Sequence, residues 1–251
     1  MHLFGGGKRT PFSLRTFCLI TEQLTGKGER SMYYWISELV ALSGIITALI
    51  IGKKAWMTRK GAWFPKFVAA GLGCMALGCL HDTIYLFITG SYADDISIGH
   101  LGVIGCFLFL ISASYGQLDG IFDDRSKGNR KYRLLALLAP LLMTLIFIPA
   151  LQTDQLSPAI KVAHFIGRIP MIVASYFNFK HAILPDDGFA FVKAVRPYNI
   201  TATIFAFAEV VYLTMYILEK PQMVVIFAAI LAVSACCMMF FAKKGAEKWT
   251  I

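Results

Sequence analysis

Apolar residues along this chain neither alternate with a period of two nor form a narrow helical stripe; they run continuously. Seven stretches, roughly 33 to 52, 66 to 90, 98 to 118, 133 to 151, 158 to 179, 200 to 218 and 222 to 242, are dominated by Leu, Ile, Val, Phe, Ala and Met. A helix needs about 20 such residues to cross the roughly 30 Å hydrocarbon core of a bilayer. The pattern predicts an all-α, polytopic bundle of seven transmembrane helices. The connections are too short to fold as soluble domains, so the chemistry must lie within the bundle or at its rims.

Two of the runs resemble one another. Asp82-Thr83-Ile84-Tyr85-Leu86 and Glu209-Val210-Val211-Tyr212-Leu213 stand 127 residues apart (209 − 82), and the offset also pairs Phe64, Lys66 and Val68 with Phe191, Lys193 and Val195. Lys53, Ala55 and Gly61 fall on Lys180, Ala182 and Gly188, which makes eight identities between residues 53–86 and 180–213. The same shift carries helices 1 to 3 onto helices 5 to 7. A 3+1+3 internal repeat is expected, with units at about 33–118 and 158–242, a linker helix at 133–151 and a tail at 1–32. An odd linker gives both units one orientation, so the pseudo-axis runs along the membrane normal and a site is expected between the copies near the midplane. This helix order resembles that of the nicotinamide riboside carriers and the seven-helix sugar facilitators, although none of their sequence motifs is present.

Composition agrees with the hydropathy. Hydrophobic residues make up 57% and charged residues 16%, against the roughly 25% charge of soluble domains. The net charge of +9 does not form a nucleic-acid-binding segment, because the bases are sorted by loop. Lys53, Lys54, Arg59 and Lys60 follow helix 1; Arg125, Lys127, Arg130, Lys131 and Arg133 precede helix 4; Lys243, Lys244 and Lys248 close the chain. The alternate loops hold Asp94, Asp95, Asp154 and the Glu219-Lys220 pair. The positive-inside rule then predicts a multi-pass cell-membrane protein with its N-terminus outside and C-terminus in the cytoplasm, against the basic N-terminal tail. The basic inner loops are a possible docking place for a protein partner. Thr10-Pro11 followed by Phe12, Leu14, Phe17, Cys18 and Ile20 suits a short amphipathic helix in the interface. Six cysteines, without C-x-x-C spacing, predict neither a disulfide framework nor a metal site.

Ionisable residues inside the runs are the candidates for function, since a charge among acyl chains must find a partner or water. At about 1.5 Å per residue, Asp82, Glu209 and Arg168 occupy a similar layer, on the outer side of the bilayer centre. Glu38 and His164 lie somewhat nearer the outer surface. His164 shares a helical face with Arg168, and Tyr85 and Tyr212 stand one turn above their acids. His81 precedes Asp82 and points about 100° away. These eight residues are expected to bind a ligand in an outward-facing polar pocket. Each also has a plainer role: an Arg168–carboxylate pair can merely orient helices, the tyrosines can bond to neighbours, and Glu38 can snorkel. His100 begins helix 3, where water would reach it. Gly71, Gly73 and Gly78 of helix 2, with Gly99, Gly102 and Gly105 of helix 3, suit close helix packing.

Three function classes fit such a pocket. A transporter would bind a proton or cation at Asp82 or Glu209 and an anionic group at Arg168. A sensor would pass a helix shift to a partner. An intramembrane lipid- or isoprenoid-directed enzyme would use one carboxyl as general acid; the acid-x-x-Tyr of helix 2 resembles, over a few residues, the seven-helix membrane terpene cyclases. No lysine stands within the last helix to hold retinal, no H-x-x-x-H suggests a zinc hydrolase, and nucleotide loops are absent. No cofactor or metal is implied. The reading that follows is a membrane protein that contacts lipid and binds a small polar or amphipathic molecule, as a transporter.

Overall fold

The computed structural model describes residues 14–58, 62–89, 97–119, 129–154, 156–185 and 190–249. They form α1 (Leu14–Met57), α2 (Trp63–Thr89), α3 (Ile98–Ile111, continued by a π-helical segment, Ser112–Asp119), α4 (Arg130–Ala136 and Leu138–Gln152), α5 (Pro158–Ile183), α6 (Ala190–Ile217) and α7 (Pro221–Trp249). Seven spans are long and apolar enough to cross a membrane. The chain is a multi-pass, all-α membrane protein. Leu77, Phe87, Ile88, Leu101, Leu145 and Val233, all more than half exposed, lie on these spans, where lipid replaces water as the surrounding solvent.

Local chemistry sets the helix ends. Ser97 caps α3, its hydroxyl accepting from the His100 N–H, and Ser157 caps α5 ahead of Pro158; a hydroxyl before the first turn satisfies an orphan N–H, and proline there gives up none that is needed. Within α4 the helix breaks at Leu137. Pro140 explains it, because its ring crowds the carbonyl four residues earlier, that of Ala136. α6 ends in a Schellman turn: the Lys220 N–H donates to Met215 O and the Glu219 N–H to Tyr216 O, with Glu219 at φ 52°. A left-handed non-glycine residue costs roughly 1 kcal/mol, and here it folds α7 straight back along α6.

α1 runs unbroken from Leu14, but its apolar crossing part is Met32–Met57. Thr10, Pro11 and Phe12 of the expected interfacial segment lie outside the described residues, as do Arg59, Lys60, Arg125 and Lys127 of the basic loops.

Six helices close a ring. α1 packs on α2 and α7, α2 on α3, α3 on α5, α5 on α6, and α6 on α7, while α4 stands outside against α5 and α6. α6 is the most enclosed, with 61% of its most apolar window buried against 28–39% elsewhere. Residues on its inner face therefore meet several other helices at once. The α2–α3 seam is tight enough that a Cβ on Gly78 would lie 2.8 Å from the Gly99 carbonyl oxygen.

Candidate functional site

The polar residues of the site come from α1, α2, α3 and α6, and three of them are acids. Glu38 and Glu209 are 7% and 1% exposed. Together with Asp82 they line a cavity of about 60 Å³, whose wall also includes Cys79, Ser97, His100, Tyr212 and Tyr216. Leu231 adds an apolar wall from α7.

Each acid is held differently. The Tyr212 hydroxyl donates to Glu38 Oε1 at 2.8 Å, a bond between α1 and α6. The Ser97 hydroxyl lies 3.2 Å from Asp82 Oδ2, and His81 Nδ1 lies 3.2 Å from Oδ1. Ser97 also meets His100 Nδ1 at 3.0 Å. Glu209 Oε2 is buried without any hydrogen-bond partner. An orphaned polar atom in a low-dielectric interior costs about 1–3 kcal/mol, more for a charged group, so this oxygen needs a proton, a water or a ligand.

Arg168 belongs to a neighbouring cavity. It lines a space of about 250 Å³ with His164, His100 and apolar residues of α3 and α5. His100, Val103 and Leu213 border both cavities. The guanidinium is 2% exposed, donates from Nη1 to the His164 carbonyl at 2.8 Å, and stacks over Phe147 of α4 at 4.3 Å. Its Nε and Nη2 have no partner. It acts electrostatically on Glu209 but forms no ion pair with it or with Asp82 among the described residues. The proposed convergence of Asp82, Arg168 and Glu209 thus separates into an acid-lined cavity and an adjoining basic one.

Of the eight predicted residues, Glu38, Asp82, Glu209 and Tyr212 border the first cavity, and Arg168 and His164 the second. His81 meets the Asp82 carboxyl and borders neither cavity. Tyr85 is 36% exposed and stacks on the His81 ring, centroids 6.4 Å apart, outside both cavities. Ser97, His100 and Cys79 were not expected there. His100 is drawn inward because Ser97 caps α3, turning the first helical turn toward Asp82, and its ring packs 4.9 Å from that of His164. The signal was present as Ser97-x-x-His100, an N-cap followed by a polar residue one turn later.

Gly99 brings this turn close. A Cβ there would overlap the Asp82 carboxyl. Because the obstruction is the end of a side chain, Gly99→Ala is expected to displace the Asp82 carboxyl and not the helix. The thermal midpoint in detergent should stay within a few degrees of wild type. A cooperative loss of the fold would contradict this.

A second polar layer lies nearer the opposite end of the bundle. Ser114, in the π-helical segment, donates to Asn178 Oδ1 at 2.8 Å, and the buried Tyr198 hydroxyl lies beside Ser114. Between the layers Phe107, Leu110, Met171 and Phe205 are fully or almost fully buried and form an apolar barrier. Among the described residues no group of three His, Cys, Asp or Glu side chains is placed to hold a metal ion.

No family model matches the chain, and neither the curated proteins nor the solved structures contain a significant match.

Proposed function

We propose that the chain is a transporter that binds a small polar solute in the cavity bordered by Glu38, Asp82 and Glu209. One observation carries the reading: acidic residues from three helices line a single cavity inside a membrane-spanning bundle. Intramembrane acids are costly and mark substrate or ion pathways. The cavity lies nearer the end of the bundle that the loop charges predict to be outside, with the N-terminus out and the C-terminus in.

The layering supports transport over a closed catalytic chamber. Phe205 stands four residues, about 6 Å, below Glu209 on α6, and Tyr198 about 10 Å further along. A solute above the barrier of Phe107, Met171 and Phe205 would need that barrier to part before reaching Ser114, Asn178 and Tyr198. Such an arrangement suits alternating access, in which one repeat rocks against the other.

The helix limits support the 3+1+3 repeat. Shifted by 127, Trp63–Thr89 becomes 190–216 beside the observed Ala190–Ile217, and Met32–Met57 becomes 159–184 beside Pro158–Ile183. In this repeat Asp82 and Glu209 are equivalent positions, and both border the cavity.

The test is transport by purified protein in proteoliposomes, read as currents after concentration jumps across a panel of small amines, carboxylates, amino acids and polyols. At least one solute should give a saturable response. Asp82→Asn and Glu209→Gln should each reduce it more than tenfold while keeping the wild-type elution volume. A panel without any response, or wild-type responses from both variants, would remove the transport reading.

A further inference from the structure

We propose that the acid-lined cavity takes a small organic cation, of the alkylammonium or guanidinium class, and that the cation replaces a proton held on Glu209. This rests on the solute-binding reading above and narrows it to one chemistry.

The polar lining points to a cation. Three acids line the cavity and His100 is its one basic residue among the described residues, whereas Arg168 lines the adjoining space. The donors already present divide the acids. Glu38 receives the Tyr212 hydroxyl, and Asp82 is held by Ser97 and His81. Glu209 is 1% exposed and its Oε2 receives nothing. Glu209 lines the cavity, and its unsatisfied oxygen is the acceptor that an entering N–H would complete. The cavity, about 60 Å³, holds roughly four water-sized groups at about 15 Å³ each, which fits methylammonium or guanidinium. Tyr212 and Tyr216 on its wall supply rings to which a desolvated cation is attracted. The acids are not grouped as metal ligands, but the separated N–H bonds of an organic cation can reach acceptors that stand apart.

The exchange follows from burial. A carboxylate without a partner in this interior is neutralised by a proton. When the cation enters, the O–H bond of Glu209 breaks, the proton leaves to water through the cavity, and the carboxylate accepts an N–H from the cation. One positive charge enters and one leaves, so the protein's charge is unchanged. The charged groups that act on Glu209 are Arg168 of α5 and Glu38 of α1. Asp82 and Cys79 of α2, Cys106 and His100 of α3, and Tyr212 one turn away on α6 complete its titratable surroundings. α7 presents only Leu231 to the cavity.

The experiment titrates the purified full chain in weakly buffered detergent with methylammonium chloride and guanidinium chloride. Binding heat and a pH-indicator dye are read together, with sodium chloride and sodium formate as controls. Saturable binding of either cation should release close to one proton per cation. Glu209→Gln should weaken that binding at least tenfold and abolish the release, with unchanged elution volume, and Glu209→Asp should restore part of both. The proposal is overturned if neither cation binds, if binding releases no proton, or if Glu209→Gln behaves as wild type. Binding of formate alone would also overturn it, yet leave the solute cavity standing; the failure of the whole transport panel removes both.

Discussion

Gly102→Val is expected to prevent the bundle from assembling. A Cβ at Gly102 would lie 2.7 Å from the Cys74 carbonyl oxygen and 2.8 Å from the Gly78 Cα. Both obstacles are backbone, so no rotamer change relieves them, and the γ-methyls of valine add to the clash. α2 and α3 would have to separate along their whole contact. Overpacking of a well-filled interior costs typically 1–3 kcal/mol, and a backbone-on-backbone seam stands at or above the upper end of that range. Lipid gives no hydrophobic drive to re-associate the helices. The check is the midpoint of unfolding in mixed SDS and mild detergent. Gly102→Val should unfold at far lower SDS or aggregate on extraction, while Gly73→Ala, whose added Cβ meets nothing within 4 Å, should match wild type. Equal midpoints for the two variants would mean that the seam is not closed as described.

The same seam marks what was legible in the chain and what was not. The seven spans follow directly from uninterrupted apolar runs, and their predicted limits differ from the observed ones mainly where a charge stands at an end. Residues Lys53 and Lys54 belong to α1 and Lys180 and His181 to α5, although hydropathy placed them beyond it. Long basic side chains reach the interface from inside the helix, so composition underestimates helix length. Nor can hydropathy register that α1 begins at Leu14, eighteen residues before its crossing part, because those residues are helical without being apolar.

Acids stood out for the opposite reason: Asp82 and Glu209 interrupt runs in which little else is polar. Their rotational positions did not. α2 is apolar on every side, so nothing in the chain distinguishes the face that carries Asp82 into the cavity from the face that carries Tyr85 outward. Depth and neighbourhood are different quantities. Arg168 shares an expected depth with the two acids, yet its guanidinium rests on Phe147, from a helix with no ionisable residue in its interior and therefore no sequence signal.

That placement reverses the stability expected of Arg168. A guanidinium paired with Glu209 or Asp82 would be costly to delete, since removing one partner strands a buried charge at about 3–5 kcal/mol. Arg168 instead has two unpartnered nitrogens and no carboxylate in contact. Arginine does not lose its proton in proteins, so the fold bears a desolvated cation compensated only through Nη1, which meets the His164 carbonyl at 2.8 Å and the His164 ring Nδ1 at 3.1 Å, and by the Phe147 face. Arg168→Met keeps the length and apolar bulk while removing the charge, and Glu209 can then remain neutral by holding its proton. Replacing buried ionic groups with apolar residues of similar volume is often neutral or stabilising by about 1–4 kcal/mol. Arg168→Met is accordingly expected to raise resistance to SDS unfolding while abolishing the transport proposed above, and Arg168→Lys to lower both. A marked loss of stability in Arg168→Met would show that the guanidinium is paired in the membrane, and that the two cavities operate as one charged site.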